Sequence, residues 1–334
     1  MTAFTTEIES QSESLEQKLS GQYSPEQWKA LSPLIDQINA LKKEKNAVIL
    51  AHNYMTPDIF YGVGDIVGDS LKLAQVAADT KADVIVQAGV HFMAETAKIL
   101  NMNKTVLIPD MKAGCSLAES ITGADVRLLR EKYPGLPIVT YVNTSADVKA
   151  ESDVCCTSSN AVKIVEAMAA DYATDEVLMI PDQYLAEYVQ TKLPDIKIRT
   201  WKGSCEVHER FTPEDIRKFR EQTPGIEVLA HPECPQDVLK EADFTGSTSQ
   251  IINYVEDNQP KNVVLITECS MSDNVQIAHP DLNLVRPCQL CPHMKRITLP
   301  KILKSLQTLT PEVTVDPAIA QQARKSIDKM LEYS

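Results

Sequence analysis

An α/β fold made of three similar units is predicted by three observations. Short β-branched runs alternate with longer amphipathic stretches, a pattern recurs in one register at an offset of 90 residues, and a third copy of it is split between the two ends of the chain. Each unit is expected to be a three-layer α/β/α sandwich with a parallel sheet, and the three are expected to stand around a pseudo-threefold axis.

Taken in order, residues 1–22 are polar and acidic and are expected to be a mobile tail. Ser24-Pro25-Glu26-Gln27 predicts a helix start, with Ser as cap, Pro at the first helical position and Gln three residues on. Trp28, Leu31, Leu34, Ile35, Ile38 and Leu41 then keep helical spacing on one face. AVILA (47–51), DVIVQAG (83–89), TVLIP (105–109), PIVTYV (137–142), VLMI (177–180), IKIRT (196–200), IEVLA (226–230) and NVVLIT (262–267) are expected as buried parallel strands, with helices between them. The expected units are 25–112, completed by the C-terminal segment 292–334, then 113–202 and 203–291.

The repeat defines those boundaries. Lys112-Ala-Gly-Cys115 matches Lys202-Gly-Ser-Cys205. Downstream, Thr122, Asp125, Arg127, Arg130, Pro134 and Gly135 match Thr212, Asp215, Arg217, Arg220, Pro224 and Gly225. Tyr141, Asn143, Asp153 and Ser158 match His231, Glu233, Asp243 and Thr248 without a gap. In the split copy Thr298 follows Cys291 as Thr122 follows Cys115, AVILAHNY (47–54) matches IEVLAHPE (226–233), and Gly68-Asp69-Ser70 matches Gly246-Ser247-Thr248. This predicts that the C-terminal segment returns to the N-terminal unit.

Composition narrows the function classes. A net charge of −13 disfavours a nucleic-acid surface, and no apolar run approaches the roughly 20 residues of a membrane span. The N-terminal residues resemble neither a secretory signal nor a transit peptide, so a cytoplasmic protein is expected. Its eight cysteines are then thiols or metal ligands rather than a disulfide framework.

Superposing the copies brings three polar sets together: Cys115, Cys205 and Cys291; His52, Tyr141 and His231, followed two residues later by Tyr54, Asn143 and Glu233; and Ser70, Ser158 and Thr248. In open α/β sheets ligands gather at the carboxyl ends of strands, so all three sets should face one central cavity. One thiolate from each of three units suits a [4Fe–4S] cluster with one iron left open, whereas structural zinc takes four ligands, usually as local pairs. Hydroxyls at helix starts suit phosphate or carboxylate, although plain capping is the alternative for Ser70, Ser158 and Thr248. Glu233, the only carboxylate at its repeat position, is the candidate general base, with His52 and His231 as donors or proton carriers. Cys288 of the Cys288-x-x-Cys291 pair is left as bystander or redox partner. Cys155, Cys156, Cys234 and Cys269 are expected as core thiols, His91, His279 and His293 as structural or surface groups, and His208 is undecided.

The segments LAHNY (50–54), GDS (68–70), AGCSLA (113–118), YVN (141–143), CTSSNAV (156–162), GSCEVHERF (203–211), AHPEC (230–234), GSTS (246–249) and CPHMK (291–295) resemble the quinolinate synthases of NAD biosynthesis. The resemblance implies a triangle of three α/β domains and a [4Fe–4S] cluster on Cys115, Cys205 and Cys291 that acts as a Lewis acid. It implies condensation of iminoaspartate with dihydroxyacetone phosphate, the former supplied by an aspartate-oxidising enzyme. Substrate contacts are implied for His52, Ser70, Tyr141, Asn143, Ser158, His231, Glu233 and Thr248, with Tyr54 joining Glu233, His52 and His231 in the acid–base steps. Some relatives carry a longer C-x-x-C-x-x-C run, of which only Cys288 and Cys291 stand here. Diphthamide-type enzymes, which also hold a [4Fe–4S] cluster on one cysteine per domain and use S-adenosylmethionine, are the alternative.

Overall fold

The computed structural model describes residues 15–287 and 289–334, so Cys288 lies outside the described residues. It is an α/β fold with three four-stranded, all-parallel sheets. The first comprises β1 (Ala47–His52), β2 (Ile66–Gly68), β3 (Val84–Ala88) and β4 (Thr105–Leu107), in the order β2-β1-β3-β4. The second comprises β5 (Ile138–Tyr141), β6 (Val154–Cys156), β7 (Glu176–Ile180) and β8 (Lys197–Thr200), in the order β6-β5-β7-β8. The third comprises β9 (Glu227–Ala230), β10 (Phe244–Thr245), β11 (Asn262–Ile266) and β12 (Asn283–Val285), in the order β10-β9-β11-β12. One strand order thus occurs three times, as the repeat requires. The expected central strands are present because their aliphatic residues are buried on both faces: Ile49, Leu50, Ile85 and Val86 are wholly inaccessible, as are Val139, Val177, Val228 and Val264.

Each unit fastens its first strand in the same way. Asp65, Asp153 and Asp243 accept a hydrogen bond at 2.8 Å from the backbone N–H of Ile49, Ile138 and Val228 respectively. A basic side chain from the preceding helix then neutralises each carboxylate: Lys42 at 2.8 Å, Arg130 at 3.3 Å and Arg220 at 3.0 Å. These partly exposed ion pairs contribute little on their own; the bond to a buried strand N–H contributes more. Asp153→Ala is therefore expected to cost about 1–3 kcal/mol by stranding the Ile138 N–H, read as a lower urea midpoint.

Helix Pro25–Glu44 begins at Ser24 with a capping box to Gln27, and it buries Trp28, Ile35 and Ile38. The segment expected as a tail includes residues 15–19, which are helical, and Leu19 is fully buried. After Cys291, helix Leu299–Thr308 packs against Pro25–Glu44. Val313 N–H donates to the Val106 carbonyl, which brings the C-terminal segment onto the edge of the first sheet. Helix Pro317–Glu332 continues past it to the second unit, where it packs on helix Ala146–Ala150 and on β6. Among the described residues no helix is long and apolar enough to cross a membrane.

Candidate active site and metal centre

In each sheet the crossover from the second strand to the third passes the first. The topological switch point therefore lies beyond the carboxyl ends of β1/β3, β5/β7 and β9/β11. All three switch points open onto one cavity. His52, Tyr54 and Ser70 line it from the first unit, Cys115, Tyr141, Asn143 and Ser158 from the second, and Cys205, His231, Glu233 and Thr248 from the third. Cys291 completes the lining. Every residue that the sequence singled out for this place is therefore present in it.

The three cysteines have one local geometry. Each begins a helical turn, its carbonyl accepting from the N–H four residues on: Glu119, Glu209 and Lys295. The Cys115 sulfur receives backbone N–H bonds from Ala118 and Leu117, Cys205 from His208 and Val207, and Cys291 from Met294 and His293. Such paired amides stabilise a thiolate, yet burial outweighs them. Burial lifts the Cys115 thiol to about 12 and raises Cys205 and Cys291 as well, so a bound metal must displace their protons. The loop before Cys205 admits no side chain at Gly203, where a Cβ would meet the Pro181 carbonyl and the Ser120 hydroxyl at 2.6 Å.

The three thiols do not converge on a single point. Among the described residues, the group of three donors all within 4.8 Å of one another is Cys205, His208 and Glu233, an arrangement compatible with a metal site. His208, undecided from sequence, is fully buried here. Its Nδ1 lies 2.8 Å from Glu233 Oε2 and 3.2 Å from Cys205 Sγ, and its Nε2 lies 3.0 Å from Thr267 Oγ1. Glu233 also accepts from the Tyr141 hydroxyl at 2.5 Å. Burial alone would raise this carboxyl, but His231, His208 and the bonds from His208 and Tyr141 hold it well below the usual carboxylate range. Tyr54 and Tyr141 are pushed above the ordinary phenol range, by burial first and then by the charge of Glu233, so both are neutral donors.

Burial lowers His52 to about 4 and His231 to about 3, so both imidazoles are neutral at pH 7. Their Nδ1 atoms accept from the N–H groups of Tyr54 and Glu233, at 3.2 and 3.4 Å. The proton is thereby assigned to Nε2 in each ring, and both present an N–H donor. The hydroxyls at the helix starts are likewise spared from capping. Asp69 and Ser247 cap the helices that begin at Ser70 and Thr248, accepting from Lys72 and Gln250. Asn160 occupies the cap position after Ser158.

Three features depart from the sequence reading or extend it. His293, expected as a structural or surface group, lines the cavity with Met294 from the turn after Cys291 and pairs with Glu206 at 2.9 Å. Cys155, Cys156 and Cys234 are buried, while Cys269 is half-buried. Lys295 stands where the other cysteine loops carry Glu119 and Glu209, and that departure from the repeat was its only signal. Its ammonium donates to the Tyr54 carbonyl at 2.7 Å and to Ser270 Oγ at 2.6 Å, and it pairs at 3.0 Å with the fully buried Glu268, which also accepts from Cys291 N–H. Lys295→Met leaves Glu268 buried without its cation and is expected to cost about 3–5 kcal/mol, measured as lost stability to denaturant.

A family model described as quinolinate synthetase A protein matches residues 36–332. A quinolinate synthase of Sinorhizobium fredii is 59% identical over 329 residues, covering 98% of this chain and 90% of its own. The quinolinate synthase of Caulobacter vibrioides is 57% identical over 329 residues, covering 98% and 89%. That of Xylella fastidiosa is 62% identical over 297 residues, covering 89% and 86%.

Proposed function

Because the chain belongs to the quinolinate synthetase A family, enzymes of a dehydrating condensation in NAD biosynthesis, we propose that it joins iminoaspartate to dihydroxyacetone phosphate. The products would be quinolinate, one phosphate and two waters. The atoms balance without an oxidant. The observation that carries this reading is the convergence of matched residues from three units on one cavity. Neutral N–H donors on His52 and His231, and hydroxyls on Ser70, Ser158 and Thr248 that cap no helix, suit two carboxylates and a phosphate; Thr248 Oγ1 accepts from Asn53 at 2.9 Å and keeps its own proton to donate.

Cys115, Cys205 and Cys291 would hold a [4Fe–4S] cluster. In support, the thiols come from three separate loops, each with paired amides, and they do not gather as a single tetrahedral ion requires, with donor atoms about 3.3–3.8 Å apart. When bound, a cluster with one iron free of protein ligands supplies a Lewis acid for a substrate oxygen. Glu233, anionic at neutral pH, would take the proton α to the imine. Tyr141 would turn its hydroxyl from Glu233 to a substrate oxygen, removing one donor and making the carboxylate a stronger base. Tyr54, held by Thr267 at 2.7 Å, would return a proton to a departing hydroxyl. Ser70, Ser158, Thr248 and Asn143 would orient the anionic groups.

The test is anaerobic purification followed by assay of iron, acid-labile sulfide and quinolinate, with iminoaspartate generated in situ by an aspartate-oxidising enzyme. Iron and sulfide near four each, together with quinolinate formation, is the expected result. Iron-loaded protein that makes no quinolinate but cleaves S-adenosylmethionine would sink the reading.

A further inference from the structure

We propose that in the cluster-free protein Cys205, His208 and Glu233 form a separate site for one divalent borderline cation, with zinc as its chemical type, and that this site and the cluster exclude each other through Cys205. The donors are one thiolate, one imidazole and one carboxylate, the set zinc accepts, and they already lie within 4.8 Å of one another. A tetrahedral ion needs them about 3.3–3.8 Å apart, so His208 Nδ1, now 3.2 Å from the sulfur and 2.8 Å from the carboxylate oxygen, must retreat by only a fraction of an ångström.

The support around the three donors is also built. A ligating imidazole holds its orientation by donating its other N–H, and His208 Nε2 faces Thr267 Oγ1 at 3.0 Å inside the core. The His208 ring stacks on His231 at 4.6 Å. The Glu233 oxygen turned away from His208 is held by Tyr141. Cys115 and Cys291 take no part, which separates this site from any that uses all three thiols. Zinc entry expels the Cys205 proton to solvent and shifts the His208 proton from Nδ1, where it now faces Glu233, to Nε2. One thiolate and one carboxylate then cancel the dication, so the buried site is neutral and retains an open position for water.

The test uses protein stripped of cluster by chelation under reducing conditions, desalted after equilibration with zinc chloride. One zinc per chain is expected in the unmutated protein and in Cys115→Ser and Cys291→Ser. Cys205→Ser, His208→Gln and Glu233→Gln should bind at least about 100-fold more weakly, and Thr267→Val about 10–100-fold more weakly. Loss of zinc in Cys115→Ser or Cys291→Ser would reassign the metal to the three thiols, and retention in both His208→Gln and Glu233→Gln would reduce it to adventitious binding; either result overturns the proposal. Cobalt(II) in the unmutated protein gives a reading independent of variant folding: thiolate-to-metal absorbance of one sulfur supports the site, and that of three refutes it. Zinc added before iron and sulfide should suppress cluster assembly, and undiminished assembly would refute mutual exclusion. The site shares only Cys205 with the proposed cluster. Failure to assemble a cluster without zinc would therefore count against the proposed function, not against this site.

Discussion

Cys291→Ser protein, purified without oxygen, is expected to contain no stable iron or sulfide and to form quinolinate more than about 100-fold more slowly. Disturbing only the partners of a metal ligand already costs about 10–100-fold in affinity or activity, and this variant removes the ligand itself. Cys291 is the informative position because it lies on a loop that the repeat assigns to a split unit. If the split copy is real, its cysteine is as necessary as Cys115 and Cys205, and the three serine variants should behave alike. Cys156→Ala is the control. Cys156 is fully buried at the end of β6 and is absent from the cavity lining, so iron content should be unchanged. Loss of iron in Cys115→Ser and Cys205→Ser but not in Cys291→Ser would break the threefold assignment. Zinc in place of iron in the unmutated protein, purified in the same way, would remove the cluster from the proposed chemistry.

The repeat made the site legible because it is a pattern of position rather than of residue type. His52, Tyr141 and His231 differ in chemistry but all stand at the end of a first strand, and superposing the copies identified them where a motif search would see two histidines and a tyrosine. Strands such as β1 and β3 were legible from unbroken apolar runs. The flanking β2, β6, β10 and β12 were not, since a ladder two or three residues long leaves no periodicity to read. Phe244–Thr245 is paired only because β9 offers it an edge.

Other features depend on contacts between distant segments, which one sequence does not encode in its spacing. The last helix buries Ala320, Ala323, Ile327 and Met330. That stripe announces an amphipathic helix but not that the second unit receives it. Glu268 and Lys295 likewise form their pair across a loop. His208 was ambiguous for a different reason: the third position after a cysteine fixes where its backbone lies, while the direction of its ring is set by Thr267 and Glu233.

Glu233→Gln should lower turnover by about 10²–10⁴-fold while leaving iron and sulfide content unchanged, the range typical of removing a positioned general base. Glutamine keeps the volume and an oxygen acceptor for His208, so the core around it should persist; what it lacks is the negative charge. That charge is unusually well defended. Burial alone would protonate the carboxyl, and the neighbouring His231 and His208, with the bonds from His208 and Tyr141, reverse the effect. Spending two buried donors on one carboxylate is hard to explain as scaffolding, because an amide at this position would satisfy Tyr141 and His208 without the cost of desolvating a charge. Tyr141→Phe sharpens the reading. It removes the 2.5 Å donor, so it should make Glu233 more basic while weakening substrate orientation, and its effect should be smaller than that of Glu233→Gln and expressed largely in KM. Should Glu233→Gln instead retain activity within about 10-fold with its iron intact, proton abstraction must be reassigned; should it lose iron, Glu233 supports the metal centre and its role as base has no independent support.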